Sequence, residues 1–210
     1  VAALAAVAVV AAAVYLLALG AGWPALALAA KPLPVLALAA LAQRTGDRYA
    51  RGIALGLALS AVADLAIEAD FLAGLALFLL AHLVYVATFV ADVPALRAGL
   101  GLAIGIAAAA PLAALWPGLG SMALPVTAYA AALGAMLWRA AARIGVSPRG
   151  GPSARWALGG AVSFAVSDTF LALDRFRWEL PGARVLVILL YWAGQAGLAF
   201  SALRRQPSGR

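Results

Sequence analysis

"FLAGLALFLLAHLVYVATFVA", residues 71–91, is an apolar run in which His82 alone can carry a charge near neutral pH. The hydrocarbon core of a bilayer is about 30 Å thick, and a helix rising about 1.5 Å per residue crosses it in about 20 residues. This stretch has that length without a break. Runs of the same kind recur near 2–20, 24–42, 50–68, 96–115, 119–139, 155–174 and 183–202. Between them stand Gly22-Trp23-Pro24, Trp116-Pro117-Gly118 and Pro181-Gly182, which punctuate the chain at spanning intervals. The sequence is 66% apolar and 11% charged, with a mean hydropathy of +1.02. A soluble domain of 210 residues could not hide that much apolar surface. The expectation is an all-α polytopic membrane protein of about eight transmembrane helices, a single transmembrane domain over 1–203 followed by a disordered cytoplasmic tail, 204–210. The first run has no basic leader and is long for a signal peptide, so it reads as a retained helix.

The charges support an orientation. With eight crossings and both termini on one side, that side holds eleven arginines: Arg44, Arg48, Arg51, Arg97, Arg139, Arg143, Arg149, Arg155, Arg204, Arg205 and Arg210. The other holds Arg175, Arg177 and Arg184. That asymmetry places both termini in the cytoplasm of a multi-pass cell-membrane protein. The net charge of +7 is thus a matter of topology and lipid contact, and nucleic acid is not an expected partner, since no basic patch is interleaved with stacking aromatics. Cysteine is absent, which excludes disulfides and thiolate chemistry. A single histidine leaves zinc little to bind, and neither a metal nor another cofactor is expected. The segment from Arg139 to Arg155, the longest polar connection, reads as a hinge, and Gly52/Gly56, Gly101/Gly105 and Gly194/Gly197 as sites of close helix approach.

Two aspartates stand inside spans. Asp64 in "SAVADLAIEADF" (60–71) and Asp168 in "AVSFAVSDTFLALDRF" (161–176) each precede a second aspartate, Asp70 or Asp174, by six residues. Both therefore lie about 9 Å below the outer helix end. Lys31 falls about 10 Å from the same side, Tyr191 about 13 Å, and His82 about 16 Å, with Tyr85 and Gln195 one turn deeper. Five helices thus bring polar groups to one layer between the outer interface and the midplane. Polar groups within a span are costly and mark functional sites by default. One buried pocket lined by Lys31, Asp64, His82, Tyr85, Asp168, Tyr191 and Gln195 is the expectation. An ammonium beside two buried carboxyls keeps one ionised while burial keeps the other protonated, which supplies a base and an acid together. The same parts could form a proton relay, so a proton-coupled transporter is the alternative, with a lipid-binding membrane protein as another.

The stretches "KPLPVLALAAL", "GLALSAVADLAIE", "FLAGLALFLLAHLVYVATF", "SFAVSDTFLALDRF" and "LLYWAGQAGLAFSAL" resemble, in order and spacing, the YhhN-like family of multi-span membrane hydrolases, the lysoplasmalogenases. The resemblance covers nearly the whole chain. It implies cleavage of the vinyl ether of a lysoplasmalogen-type lysolipid drawn from the bilayer, giving a fatty aldehyde and a glycerophospho-base. It also implies that Lys31, Asp64, His82, Tyr85, Asp168, Tyr191 and Gln195 line the site; the chemistry of the bond makes Asp64 and Asp168 the expected catalytic pair, with the other five expected to bind substrate.

Overall fold

The computed structural model describes residues 2–203, so the expectation for the tail at 204–210 lies outside the described residues. Within the described residues nine α-helices follow one another: α1 (Ala2–Gly20), α2 (Pro24–Ala30), α3 (Leu33–Gln43), α4 (Arg48–Ala69), α5 (Phe71–Asp92), α6 (Ala98–Leu119), α7 (Ala123–Ala142), α8 (Gly151–Phe176) and α9 (Ala183–Leu203). No strand occurs among the described residues. Among the described residues, seven helical stretches are long and apolar enough to cross a bilayer, and the chain is a multi-pass integral membrane protein.

Two of those stretches are not simple rods. Residues Pro24–Gln43 form one span made of α2 and α3, interrupted at Lys31 and Pro32. Pro32 and Pro34 have no N–H to give, so the carbonyls of Leu28 and Ala30 lose their ladder donors and the helix breaks there. The break sets Lys31 at a helix junction within the span. Residues Ala98–Ala142 form one continuous apolar stretch that folds back on itself. A single 3₁₀ turn, Gly120–Met122, divides α6 from α7. The fold-back is fixed at its far end, where the Trp138 indole donates to the Arg97 carbonyl at 3.2 Å and Arg97 Nη1 donates to the Ile144 carbonyl at 3.1 Å.

The helix ends are built by recognisable local chemistry. Asp47 caps α4, accepting from the Ala50 N–H at 2.8 Å, and Asp70 caps α5, accepting from the Ala73 N–H at 2.7 Å. Asp70 is the only residue between α4 and α5, so the two run antiparallel in close contact, with Gly74 set against Ile67. α8 and α9 form the tightest pair. A side chain on Gly160 would meet the Gly194 carbonyl at 2.7 Å and the Leu198 nitrogen at 2.8 Å. Gly194 and Gly197 thus make the close approach expected of them, and Gly52 and Gly56 do so against Thr88 and Tyr85. Gly101 lies against the Trp138 ring, whereas Gly105 faces open space.

The connection between α7 and α8, expected to be a hinge, is tied down. Arg143 is fully buried, bonded through Nε to Asp92 Oδ2 at 2.8 Å and stacked over Tyr49 and Phe89. Ser147 also donates to Asp92, and Arg149 reaches Asp47 at 2.9 Å and the Ala202 carbonyl at 2.9 Å. Arg139 donates to the carbonyls of Ala95 and Val93. A buried guanidinium finds enough acceptors only where several chain ends meet, so these contacts gather the ends of α4, α5, α7, α8 and α9 at one end of the bundle.

Candidate functional site

At the opposite half of the bundle, α4, α7, α8 and α9 surround a cavity of ≈ 620 Å³. The stripe Ser60, Asp64, Glu68 on α4 repeats every four residues, so its three polar side chains share one face. Arg184, Ile188, Tyr191 and Gln195 make the corresponding stripe on α9. Asp64 is 2% exposed and accepts from the Tyr191 hydroxyl through Oδ2 at 2.8 Å. Asp168, on α8, is half-buried and accepts through Oδ2 from the Tyr129 hydroxyl of α7. Both aspartates line the cavity. Each therefore has one oxygen held by a tyrosine, while no hydrogen bond reaches either Oδ1 among the described residues.

Lys31 lines the same cavity, but its ammonium pairs with Glu68 Oε1 at 2.8 Å rather than bonding either aspartate. Lys31 thus meets α4 at Glu68, one helical turn from Asp64. Of the expected set, then, the structure brings Lys31, Asp64, Asp168 and Tyr191 to one cavity wall. His82, Tyr85 and Gln195 are fully buried in the layer behind it. The His82 ring packs between Tyr129, at 5.1 Å, and Phe164, at 4.8 Å, and its Nδ1 donates to the Phe78 carbonyl at 2.6 Å. The Tyr85 hydroxyl donates to Gln195 Oε1 at 3.1 Å, its ring occupying the space that Gly56 leaves. His82 thus packs against the tyrosine that holds Asp168, Tyr85 and Gln195 bond each other, and none of the three lines the cavity.

Tyr129, Glu68, Arg184 and Tyr15 also line the cavity and were not expected there. Two of them carried a signal. Glu68 is one turn from Asp64, and Arg184 is seven residues before Tyr191, on its stripe.

Away from the carboxyls the cavity is an apolar slot. Ala108 and Leu112 of α6, Leu133 and Leu137 of α7, and Val162 and Val166 of α8 form its walls. Val162 and Val166 line the slot and are also exposed. α6 contributes only Leu115 and Leu119 to the buried interior. None of the polar residues gathered at the arginine-rich end lines the cavity.

The model of the YhhN family matches residues 26–202. The chain belongs to the YhhN family. That match takes in every helix that lines the acid pair. The chain is 38% identical to human lysoplasmalogenase TMEM86B over 83% of its own length and 74% of that protein's. It is 35% identical to bovine lysoplasmalogenase TMEM86A over 74% of its length and 67% of the relative's, and 33% identical to a lysoplasmalogenase of Mycobacterium tuberculosis over 76% and 61%. No solved structure matches this YhhN member.

Proposed function

We propose that the protein hydrolyses the vinyl ether of lysoplasmalogen-type lysolipids, releasing a fatty aldehyde and a glycerophospho-base. The observation that carries this reading is the arrangement of Asp64 and Asp168. Two carboxyls from different helices face one cavity, each steadied at Oδ2 by a tyrosine, with Oδ1 left for reactants and an apolar slot alongside. The names of the family relatives point the same way.

The chemistry follows from the bond. One carboxylic acid donates its proton to the β-carbon of the vinyl ether, and the double bond becomes an oxocarbenium ion. The other carboxylate stabilises that cation and takes a proton from the water that attacks its carbon. The resulting hemiacetal transfers its hydroxyl proton to the glycerol oxygen and separates into aldehyde and alcohol. Water is the sole co-reactant. Asp64 and Asp168 supply the acid and the base between them. Lys31 biases the charge on Asp64 from beside it, and Tyr191 and Tyr129 orient the two carboxyls. His82, Tyr85 and Gln195 serve as supports of that polar layer.

The same reading includes the topology. The fold-back of α6 on α7 gives the seven apolar stretches eight crossings, with the arginine-rich end and both termini on the cytoplasmic side. Substrate then enters sideways from the outer half of the bilayer. On this reading the exposed Val162 and Val166 mark a lateral mouth between α6 and α8, and the cavity takes no lining from the polar residues of the arginine-rich end, which favours an enzyme on a membrane lipid over a transporter that needs access to both aqueous sides.

The test is incubation of the purified protein with alkenyl, alkyl and acyl lysolipids, watching for aldehyde and fatty acid. Aldehyde from the alkenyl lipid alone is expected. Asp64→Asn and Asp168→Asn should each abolish it while expression and folding persist. Wild-type turnover in either variant overturns the acid pair, and absence of aldehyde from every lipid turns the reading toward transport.

A further inference from the structure

The cavity also has a charged rim, from which only the charge of Lys31 enters the chemistry proposed for the acid pair. Lys31 from the α2–α3 break, Glu68 of α4 and Arg184 of α9 meet with Tyr15 of α1 where the main cavity adjoins a second one of ≈ 460 Å³. The second cavity runs out past Trp23 and Pro24 to the turn between α1 and α2. Lys31 is 9% exposed, whereas the Arg184 side chain is 59% exposed and the Glu68 side chain 38%. Both cations address the same atom, Glu68 Oε1, from 2.8 Å and 3.8 Å. Among the described residues no hydrogen bond reaches Glu68 Oε2. Within ion-pair distance, then, two cations face one carboxylate, and the carboxylate keeps one oxygen for a donor.

This imbalance has a chemical complement. A group carrying one negative charge on two oxygens satisfies an ammonium and a guanidinium together, and a guanidinium is suited to paired phosphate oxygens. An ammonium two carbons beyond that phosphate meets the open oxygen of Glu68 and the exposed indole of Trp23, whose face attracts cations. The order along the molecule also matches. From the rim inward come the charged cluster, the acid pair and the apolar slot, just as head group, glycerol with its vinyl ether, and hydrocarbon chain succeed one another in a lysolipid.

We propose that Lys31, Glu68 and Arg184 form a head-group site for a zwitterionic phosphodiester, Lys31 and Arg184 taking the phosphate oxygens and Glu68 Oε2 the terminal ammonium. The proposal rests on reading the main cavity as a lysolipid site, and it assigns head-group selection to residues distinct from those that break the bond.

Two ligand pairs test it on the purified full chain. The first pair is cleavable: 1-alkenyl-glycerophosphoethanolamine and 1-alkenylglycerol, followed by aldehyde release. The second is not: 1-O-alkyl-glycerophosphoethanolamine and 1-O-alkylglycerol, followed by calorimetric binding. Arg184→Gln should lower kcat/KM for the phosphodiester substrate at least tenfold and weaken binding of its alkyl analogue to the same degree. Both glycerol ligands should change less than twofold. Arg184→Lys should recover part of the loss, and Arg177→Gln, on the exposed turn after α8, should leave all four values unchanged. Glu68→Gln should erase any preference for the ethanolamine head over alkenylglycerol phosphate. Equal effects of Arg184→Gln on phosphodiester and glycerol ligands, or no effect on either, overturn the head-group site even if aldehyde is released. Binding that depends on Arg184 without aldehyde from any lipid sustains the head-group site and overturns the hydrolase.

Discussion

The Tyr191 hydroxyl of α9 donates to Asp64 Oδ2 of α4 across 2.8 Å, inside a cavity that Asp168 enters from α8. Because the tyrosine occupies one carboxyl oxygen, it decides which oxygen remains to meet a reactant. A hydrogen bond to a charged group contributes about 1.5–3 kcal/mol. On the proposed mechanism, Tyr191→Phe should lower the rate of aldehyde release roughly 10- to 100-fold with little change in KM. Single-turnover kinetics on Tyr191→Phe check the statement.

Tyr129 holds Asp168 in the same manner, and the His82 ring packs against Tyr129. His82→Phe keeps a ring between Tyr129 and Phe164 but removes the bond to the Phe78 carbonyl. The expected result is a reduced kcat with an unchanged KM, because the residue acts on the acid pair through Tyr129 and does not reach the cavity. A KM effect confined to His82→Phe would show direct substrate contact instead.

The apolar slot should measure its occupant. Ala108 on α6 lines it at some distance from the carboxyls, and Ala108→Trp would fill part of the space. Activity on long alkenyl chains should fall while activity on short ones persists, so that a chain-length series of kcat/KM shifts its optimum downward. A uniform loss across the series would mean that the chain lies elsewhere.

Asp92 and Arg143 make the most deeply buried ion pair, with side chains 5% and 0% exposed. Removing one partner of such a pair strands a charge and costs about 3–5 kcal/mol. Asp92→Ala should lower the thermal unfolding temperature in detergent markedly, and far more than Asp47→Ala, whose partner Arg149 is more exposed. The residual activity of the folded fraction should match that of the wild type, because neither residue lines the cavity.

The α8–α9 seam sets the position of both Asp168 and Tyr191. Gly160→Val would place two methyl groups against the Gly194 carbonyl and the backbone of Gly197. Overpacking of this kind costs about 1–3 kcal/mol and displaces the helices. Gly105→Val, on a glycine facing open space, is the matched control and should leave both the melting temperature and aldehyde release unaltered.

How far the sequence reveals this site depends on which coordinate is asked for. Depth along a helix is legible, because each residue advances the chain by about 1.5 Å. Lys31, Asp64, Asp168 and Tyr191, counted to one layer along their runs, line one cavity. Rotation about the helix axis is far less so when the perimeter is apolar all round, as in α5, where nothing but packing tells one face from another. His82, Tyr85 and Gln195, counted to the same layer, are buried outside the cavity lining. The partner of Lys31 was hidden for a related reason. Its ammonium hangs from a broken span whose bend is set by Pro32 and Pro34, and that bend carries it to Glu68. The buried pair of Arg143 and Asp92 was equally unmarked, since an arginine in a loop reads as a solvated cation until other chain ends close over it.

The glycine seam between α8 and α9 and the sparse anchorage of α6 lie on either side of Asp168. One flank of this carboxyl is therefore bolted along its length, whereas α6 is pinned at its ends, by Gly101 and Arg97 against Trp138 and by Gly118 against the Phe176 carbonyl. Between those ends α6 buries no residue before Leu115, so its middle is the part of the wall with least to hold it. Such a molecule can admit a wide hydrocarbon tail without loosening the groups that must stay aligned.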